Sequence, residues 1–219
     1  MTGDTHDHGH DHGGGPVLTY ADDSVHDRNE TGHFELLADA LKELSIEKGL
    51  VTATEVREYV EFFDSRGTEK GAEIIARAWT DPAYKERLLS NGTAAAAELD
   101  IPMAGAELVV VENTGSVHNV IVCTLCSCYP RTILGLPPDW YKSKSYRSRA
   151  VNEPRAVLKE FGTELPGDVA LRVHDSNADM RYLVLPKRPA GTEDWPEERL
   201  RELVTRDSMI GVAPARDPA

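Results

Sequence analysis

The spacing of hydrophobic positions along the chain changes once, near residue 100. Phe34, Leu37, Leu41 and Leu44 recur three and four residues apart, which predicts a helix closed by Gly49. Thr52-Ala53-Thr54-Glu55 has capping-box spacing and opens a second helix with Val56, Tyr59, Val60 and Phe63 on its apolar face. A third helix follows Gly67 and carries Ala72, Ile75 and Trp79. Asp81-Pro82 starts a fourth, because proline suits the first helical position. Beyond residue 100, short β-branched runs take over at 107–112, 118–124, 169–173 and 181–185, bounded by Gly, Asn, Asp and Pro. Pro137-Pro138 marks a bend, a helix follows Pro154, and a last helix runs from near Pro196 to about Val204. No internal repeat is visible. The fold class expected is α+β: a helical N-terminal arm over 17–100, then a layered α/β core over 101–213 with a small sheet. Residues 214–219 form a flexible C-terminus. The arm has the character of a segment that packs on another subunit.

Composition narrows the function. Residues 1–16 alternate His6, His8, His10 and His12 with Asp and Gly, so they have nothing to bury and are expected to be disordered. Such a tail is a solvated end or a loose holder of metal. The 219 residues carry 24 basic and 37 acidic side chains, a net charge of -13. That excess argues against nucleic acid or an anionic membrane surface as the main partner. The N-terminus lacks a signal-peptide pattern, and no apolar run approaches the roughly 18–20 residues of a membrane helix. The expectation is a cytoplasmic protein.

All three cysteines, Cys123, Cys126 and Cys128, lie within six positions directly after a predicted strand. A disulfide framework would spread an even number through the chain. A structural zinc site needs a fourth ligand, which only His118 or His174 would supply, and an iron–sulfur cluster wants a fourth cysteine. A redox dithiol of Cys123 and Cys126 leaves Cys128 unexplained. A further arrangement uses the backbone amides of Ser127 and Cys128. Three sulfurs and two deprotonated amides leave one position open on a metal, the mark of a catalytic site. Such anionic donors suit trivalent cobalt or iron.

The segment Val122-Cys123-Thr124-Leu125-Cys126-Ser127-Cys128-Tyr129 resembles the metal-binding signature of the nitrile hydratase α subunit and thiocyanate hydrolase γ subunit family. The resemblance extends through Gly135-Leu136-Pro137-Pro138-Asp139-Trp140-Tyr141-Lys142, Tyr146-Arg147-Ser148-Arg149, Glu153-Pro154-Arg155, Arg181-Tyr182, Arg188-Pro189-Ala190-Gly191-Thr192 and 206–211, and covers roughly 33–213. It implies one Co(III), or alternatively Fe(III), held by Cys123, Cys126, Cys128 and the amides of Ser127 and Cys128. It further implies Cys126 as sulfinate and Cys128 as sulfenate, two rungs of thiol oxidation. Thr124 and Tyr129 resemble the cobalt type. A β-type partner subunit would complete the active site in a hetero-oligomer, and a metallochaperone or activator would load the metal. The reaction implied is addition of water across a C≡N bond, with Cys128 and Ser127 as catalytic residues: the Cys128 oxygen as nucleophile or base, the Ser127 hydroxyl positioning water or substrate.

One departure bears on the substrate. Nitrile hydratases usually carry Trp soon after the signature, whereas this chain has Tyr129-Pro130-Arg131. A cation there suits a small anion, and the resemblance at this point, at 46–50 and at Asp175-Ser176-Asn177 is to thiocyanate hydrolase γ. Arg131 is therefore a candidate substrate-pocket residue, its alternative a salt bridge to the partner subunit. The leading expectation is hydrolysis of thiocyanate to carbonyl sulfide and ammonia. Nitrile-to-amide hydration comes next, favoured by Gly135-Leu136-Pro137-Pro138, and a metal-carrier protein is a distant third. Arg147 and Arg149 are candidate donors behind the loop. Trp79, Trp140 and Trp195 are expected to pack.

Overall fold

A computed structural model describes residues 32–64, 67–103, 105–125 and 128–218. The His-rich tail, Cys126 and Ser127 lie outside the described residues.

Among the described residues five helices come first: α1 (His33–Glu47), α2 (Ala53–Asp64), α3 (Glu69–Thr80), α4 (Pro82–Ser90) and α5 (Gly92–Ala97). The capping box that opens α2 forms reciprocally, Thr52 Oγ1 accepting from the Glu55 amide at 3.1 Å and Glu55 Oε2 from the Thr52 amide at 2.7 Å. Asp81 accepts from the Tyr84 amide at 3.0 Å, capping α4 ahead of Pro82. Asn91 caps α5 in the same way, a helix the Ala-rich sequence does not announce.

The change of texture near residue 100 is a change of element type and not a break in packing. Ile74 and Ile75 of α3, Tyr84 and Leu88 of α4 and Ala96 of α5 join the same buried cluster as the strands. None of the described side chains of α1 and α2 is buried. Of their expected apolar positions, Leu37, Leu41, Leu44, Tyr59 and Val60 are exposed, Leu41 at 66% and Tyr59 at 62%.

The four strands are β1 (Glu107–Glu112), β2 (Val117–Val122), β3 (Ala170–Asp175) and β4 (Met180–Leu185). They make two parallel pairs, β1 with β4 and β2 with β3. A parallel pair needs a crossover. That between β2 and β3 carries α6 (Arg131–Leu134), α7 (Asp139–Lys142), α8 (Lys144–Asn152) and α9 (Pro154–Glu160). Val120, Ile121 and Val122 are all buried, as expected of a strand covered on both faces. Two C-terminal helices, α10 (Glu197–Arg201) and α11 (Arg206–Ile210), close the chain. The first packs on α3 beside the cluster of Ala76, Leu200 and Leu203.

After α11 the chain turns at Gly211 with φ +89° and passes against β2. There His118 Nε2 donates to the Gly211 carbonyl at 2.7 Å, and its Nδ1 faces the Asn113 amide nitrogen at 3.4 Å. Burial lowers the His118 pKa against the pull of that carbonyl and favours the neutral ring.

Candidate metal centre

β2 runs straight into the cysteine loop, so Cys123 leaves the strand already buried, at 1% exposure. Because β2 and β3 are parallel and Val122 pairs with Asp175, both strands end at the same place. That edge, the carboxyl end of a parallel pair, is where open α/β sheets bind ligands. The Ser176 amide donates to the Val122 carbonyl at 2.7 Å and extends the pairing by one step.

The first turn of the loop is held from β3. Asp175 accepts from the Thr124 amide at 2.9 Å with one carboxylate oxygen and from the Thr124 hydroxyl with the other. Arg147 Nη1 approaches the Thr124 carbonyl at 3.5 Å from α8. The exit is held from α7, where the Tyr141 hydroxyl donates to the Cys128 carbonyl at 3.0 Å. Tyr146 donates to the Ile121 carbonyl at 2.8 Å, gripping the strand just before the loop. These phenols sit among edge-on aromatic pairs, Tyr129–Tyr141 at 5.1 Å, Trp140–Tyr146 at 4.9 Å and Trp140–Phe161 at 4.7 Å. Burial pushes the Tyr141 and Tyr129 phenols far above their ordinary range, so both stay protonated.

The residues singled out from the sequence fall into distinct places. Cys123 is buried and Cys128 half-buried at the two ends of the loop, while Cys126 and Ser127 lie outside the described residues. Arg131 opens α6, exposed, with no side-chain hydrogen bond or ion pair among the described residues. Arg147 reaches the loop. Arg149 is directed instead at Glu153 and, through both terminal nitrogens, at Glu160, a clamp between α8 and α9. His118 Nε2 is engaged with the Gly211 carbonyl, and His174 Nε2 lies against Asn119 Oδ1 at 2.8 Å. Trp140 packs as expected, Trp79 donates to the Pro186 carbonyl at 2.9 Å, and Trp195 lies 3.4 Å beneath the Arg199 guanidinium.

Sequence reasoning did not single out Asp175 or the two tyrosines as supports of the loop. A carboxylate ending the strand that pairs with the pre-loop strand is a usable signal once the pairing is known.

Among the described residues no three His, Cys, Asp or Glu side chains converge. The nearest carboxylate, Asp175, is committed to Thr124, which leaves thiols and loop amides as donors. Such a set fits a trivalent cobalt or iron ion and disfavours a hard divalent one. Beside the loop opens a cleft of about 320 Å³ lined by Thr124, Lys144, Arg147, Ser148, Val151 and Asn152. It holds two cations and no carboxylate. Leu125, at 87% exposure, projects from the loop into solvent. No described helix is long and apolar enough to cross a membrane.

The family described as nitrile hydratase, alpha chain, matches residues 32–213. The chain is 50% identical to the low-molecular-weight cobalt-containing nitrile hydratase subunit α of Rhodococcus rhodochrous, over 82% of this chain and 88% of that one. It is 43% identical to the thiocyanate hydrolase subunit γ of Thiobacillus thioparus, over 84% and 81%. Among solved structures, a recombinant thiocyanate hydrolase with partially modified cobalt centres superposes with a TM-score of 0.78 at 42% identity, covering 85% of this chain and 92% of that one. An iron-type nitrile hydratase of Comamonas testosteroni Ni1 superposes at 0.76 with 47% identity, covering 84% and 91%. With the cysteine loop at the carboxyl end of β2 and a match across nearly the whole described chain, the protein belongs to the nitrile hydratase α-chain family of C≡N-hydrating metalloenzymes.

Proposed function

We propose that this chain is the cobalt-bearing subunit of a thiocyanate hydrolase-like enzyme, converting thiocyanate and two waters into carbonyl sulfide, ammonia and hydroxide. The observation that carries the choice of substrate is Arg131. It directly follows the buried Tyr129–Pro130 exit of the loop, exposed at the start of α6, with no side-chain hydrogen bond or ion pair among the described residues. The cleft beside the loop adds two further cations, Lys144 and Arg147, in a chain of net charge -13. A positive pocket raises the local concentration of a small anion.

The metal would be held by Cys123, Cys126, Cys128 and the amides of Ser127 and Cys128, and would supply Lewis acidity towards the C≡N group or the attacking water. The chain's own residues do the rest. Cys128, as sulfenate, offers an oxygen to act as nucleophile or base, and the Ser127 hydroxyl orients water or substrate beside it. Cys126, as sulfinate, accepts hydrogen bonds from a β-type partner subunit. Asp175 fixes Thr124, one residue after the buried thiol. The open apolar faces of α1 and α2, with exposed Leu125, supply surface for that partner. An activator protein delivers the cobalt in the cytoplasm.

A second reading, nitrile to amide, is favoured by the 50% identity to a cobalt nitrile hydratase α subunit against 43% to the thiocyanate hydrolase γ subunit. Assay of the cobalt-loaded hetero-oligomer with thiocyanate and with aliphatic nitriles separates the two. Thiocyanate turnover is expected to dominate; efficient nitrile turnover without it assigns the chain to the second reading. Mass spectrometry of the peptide holding Cys126 and Cys128 should find two added oxygens on the first and one on the second. Unoxidised cysteines with metal that a chelator strips quickly would instead indicate a carrier.

Arg131→Trp provides a sharper test. It is expected to lower kcat/KM for thiocyanate about 10- to 100-fold, the loss of one charge-assisted contact, and to change neutral nitrile turnover much less. Equal losses on both substrates assign Arg131 to structure.

A further inference from the structure

The structure assigns Tyr141 a positioning role: its buried hydroxyl, bonded to the Cys128 carbonyl, sets how the last thiol and last amide of the loop face the metal. The inference rests on the proposal that the loop is the metal site, and deepens it.

Three observations carry it. The Tyr141 side chain is fully buried, and its hydroxyl reaches the Cys128 carbonyl at 3.0 Å. The ring cannot swing away, because Tyr129, Trp140 and Tyr146 pack around it with centroids at 5.1, 6.0 and 5.7 Å. The Cys128 carbonyl leaves from the same Cα as the Cys128 side chain, one bond from the amide nitrogen. Fixing that oxygen fixes the ψ torsion of Cys128 and so the direction of its Cα–Cβ bond. Both donors that this residue offers are then aimed from a rigid core, across a loop otherwise tied at its far end by Asp175 and Thr124. Supporting groups of this kind commonly set metal affinity and reactivity as strongly as some ligands do.

Tyr146 supplies the internal comparison. It belongs to the same aromatic cluster, is equally buried, and donates to a backbone carbonyl at 2.8 Å. Its acceptor is Ile121, inside β2, whose position the ladder to β3 already holds. Loss of either hydroxyl weakens the core. Only loss of the Tyr141 hydroxyl frees a residue that would touch the metal.

The test compares wild type, Tyr141→Phe and Tyr146→Phe as metal-loaded hetero-oligomers. Metal content, thermal midpoint, the sulfur-to-metal charge-transfer absorption, kcat and KM are read for each. Both variants should melt a few degrees lower. Tyr141→Phe alone should shift the charge-transfer band and lower kcat about 10- to 100-fold with KM nearly unchanged. A Tyr141→Phe complex with the wild-type band and kcat within about twofold overturns the assignment, as do equal band shifts in both variants. Should Tyr141→Phe fail to assemble, 3-fluorotyrosine at position 141 keeps the ring and strengthens the donor. The band should still move, and an unmoved band overturns the role. Wild-type complex without metal or cysteine oxidation would refute the metal reading itself, a result distinct from all of these.

Discussion

Cys123→Ala is expected to leave the assembled complex without its metal and to reduce turnover to background, well over 100-fold. Cys123 arrives fixed by its strand. It is buried at the end of β2, with Val120, Ile121 and Val122 behind it and the Asp175 grip on Thr124 in front. Cys128 reaches the site from a half-buried turn and is held through its carbonyl by Tyr141. Alanine keeps the strand and removes only sulfur, so the fold should lose no more than about 1–2 kcal/mol. Elemental analysis beside a melting curve therefore separates the effects. Full metal content in a folded Cys123→Ala complex would show that Cys123 is not a ligand.

The largest effect on stability should come from Gly211→Ala, where the C-terminal segment crosses β2. Gly211 sits at φ +89°, a conformation that costs an alanine about 1–2 kcal/mol. A methyl group there would also stand 2.0 Å from the Asn119 carbonyl oxygen and 3.1 Å from the Val120 Cα. Both belong to the backbone of β2 and cannot rotate away, so the strand or the C-terminal segment must shift, for a further 1–3 kcal/mol or thereabouts. Together these give roughly 2–5 kcal/mol, a fall in melting temperature on the order of 10 °C. Gly162→Ala is the matched control: its φ is +80°, but nothing lies within 4 Å of the added carbon, so only the conformational part should appear. Equal losses at both positions would mean that the close approach to β2 contributes nothing.

The two predictions concern parts of the chain that differ in how openly the sequence shows them. Strand β1 spans Glu107–Glu112 as its β-branched run indicates, and α4 begins where Asp81-Pro82 marks it. The run expected over 118–124 continues two residues past the true end of β2, because Cys123 and Thr124 are as strand-like in character as the valines before them. The four-residue helices α6 and α7 are absent from the periodic pattern. Each is about one turn long and lies among Pro130, Pro137 and Pro138, so tertiary contacts and not periodicity decide it. The α1 and α2 faces show the opposite limit: their periodicity is plain, but periodicity does not say which molecule covers an apolar stripe.

In the candidate site, the thiols were legible because they are neighbours in the chain. Their supports were not. Asp175 is 51 positions from Thr124, and no local pattern links an aspartate at the end of one strand to a threonine beyond another. Arg147 and Arg149 are equally plausible supports from their place after Trp140-Tyr141, but residues two apart on a helix face different ways. It is Arg147 that meets the loop, and Arg149 that meets Glu160.

The long crossover between β2 and β3 has a consequence for the order of assembly. Three thiols within six residues can gather around an ion in a chain that has barely begun to fold, since closing so short a loop takes little entropy. The aspartate that shapes the loop arrives only when the whole crossover has closed, a far slower event. Cobalt met during synthesis would thus be captured in a slack geometry, with exchange still open. Cobalt met after β3 has docked enters a loop already drawn tight. If the loop is the metal site, timing as well as affinity would decide which ion the finished protein keeps.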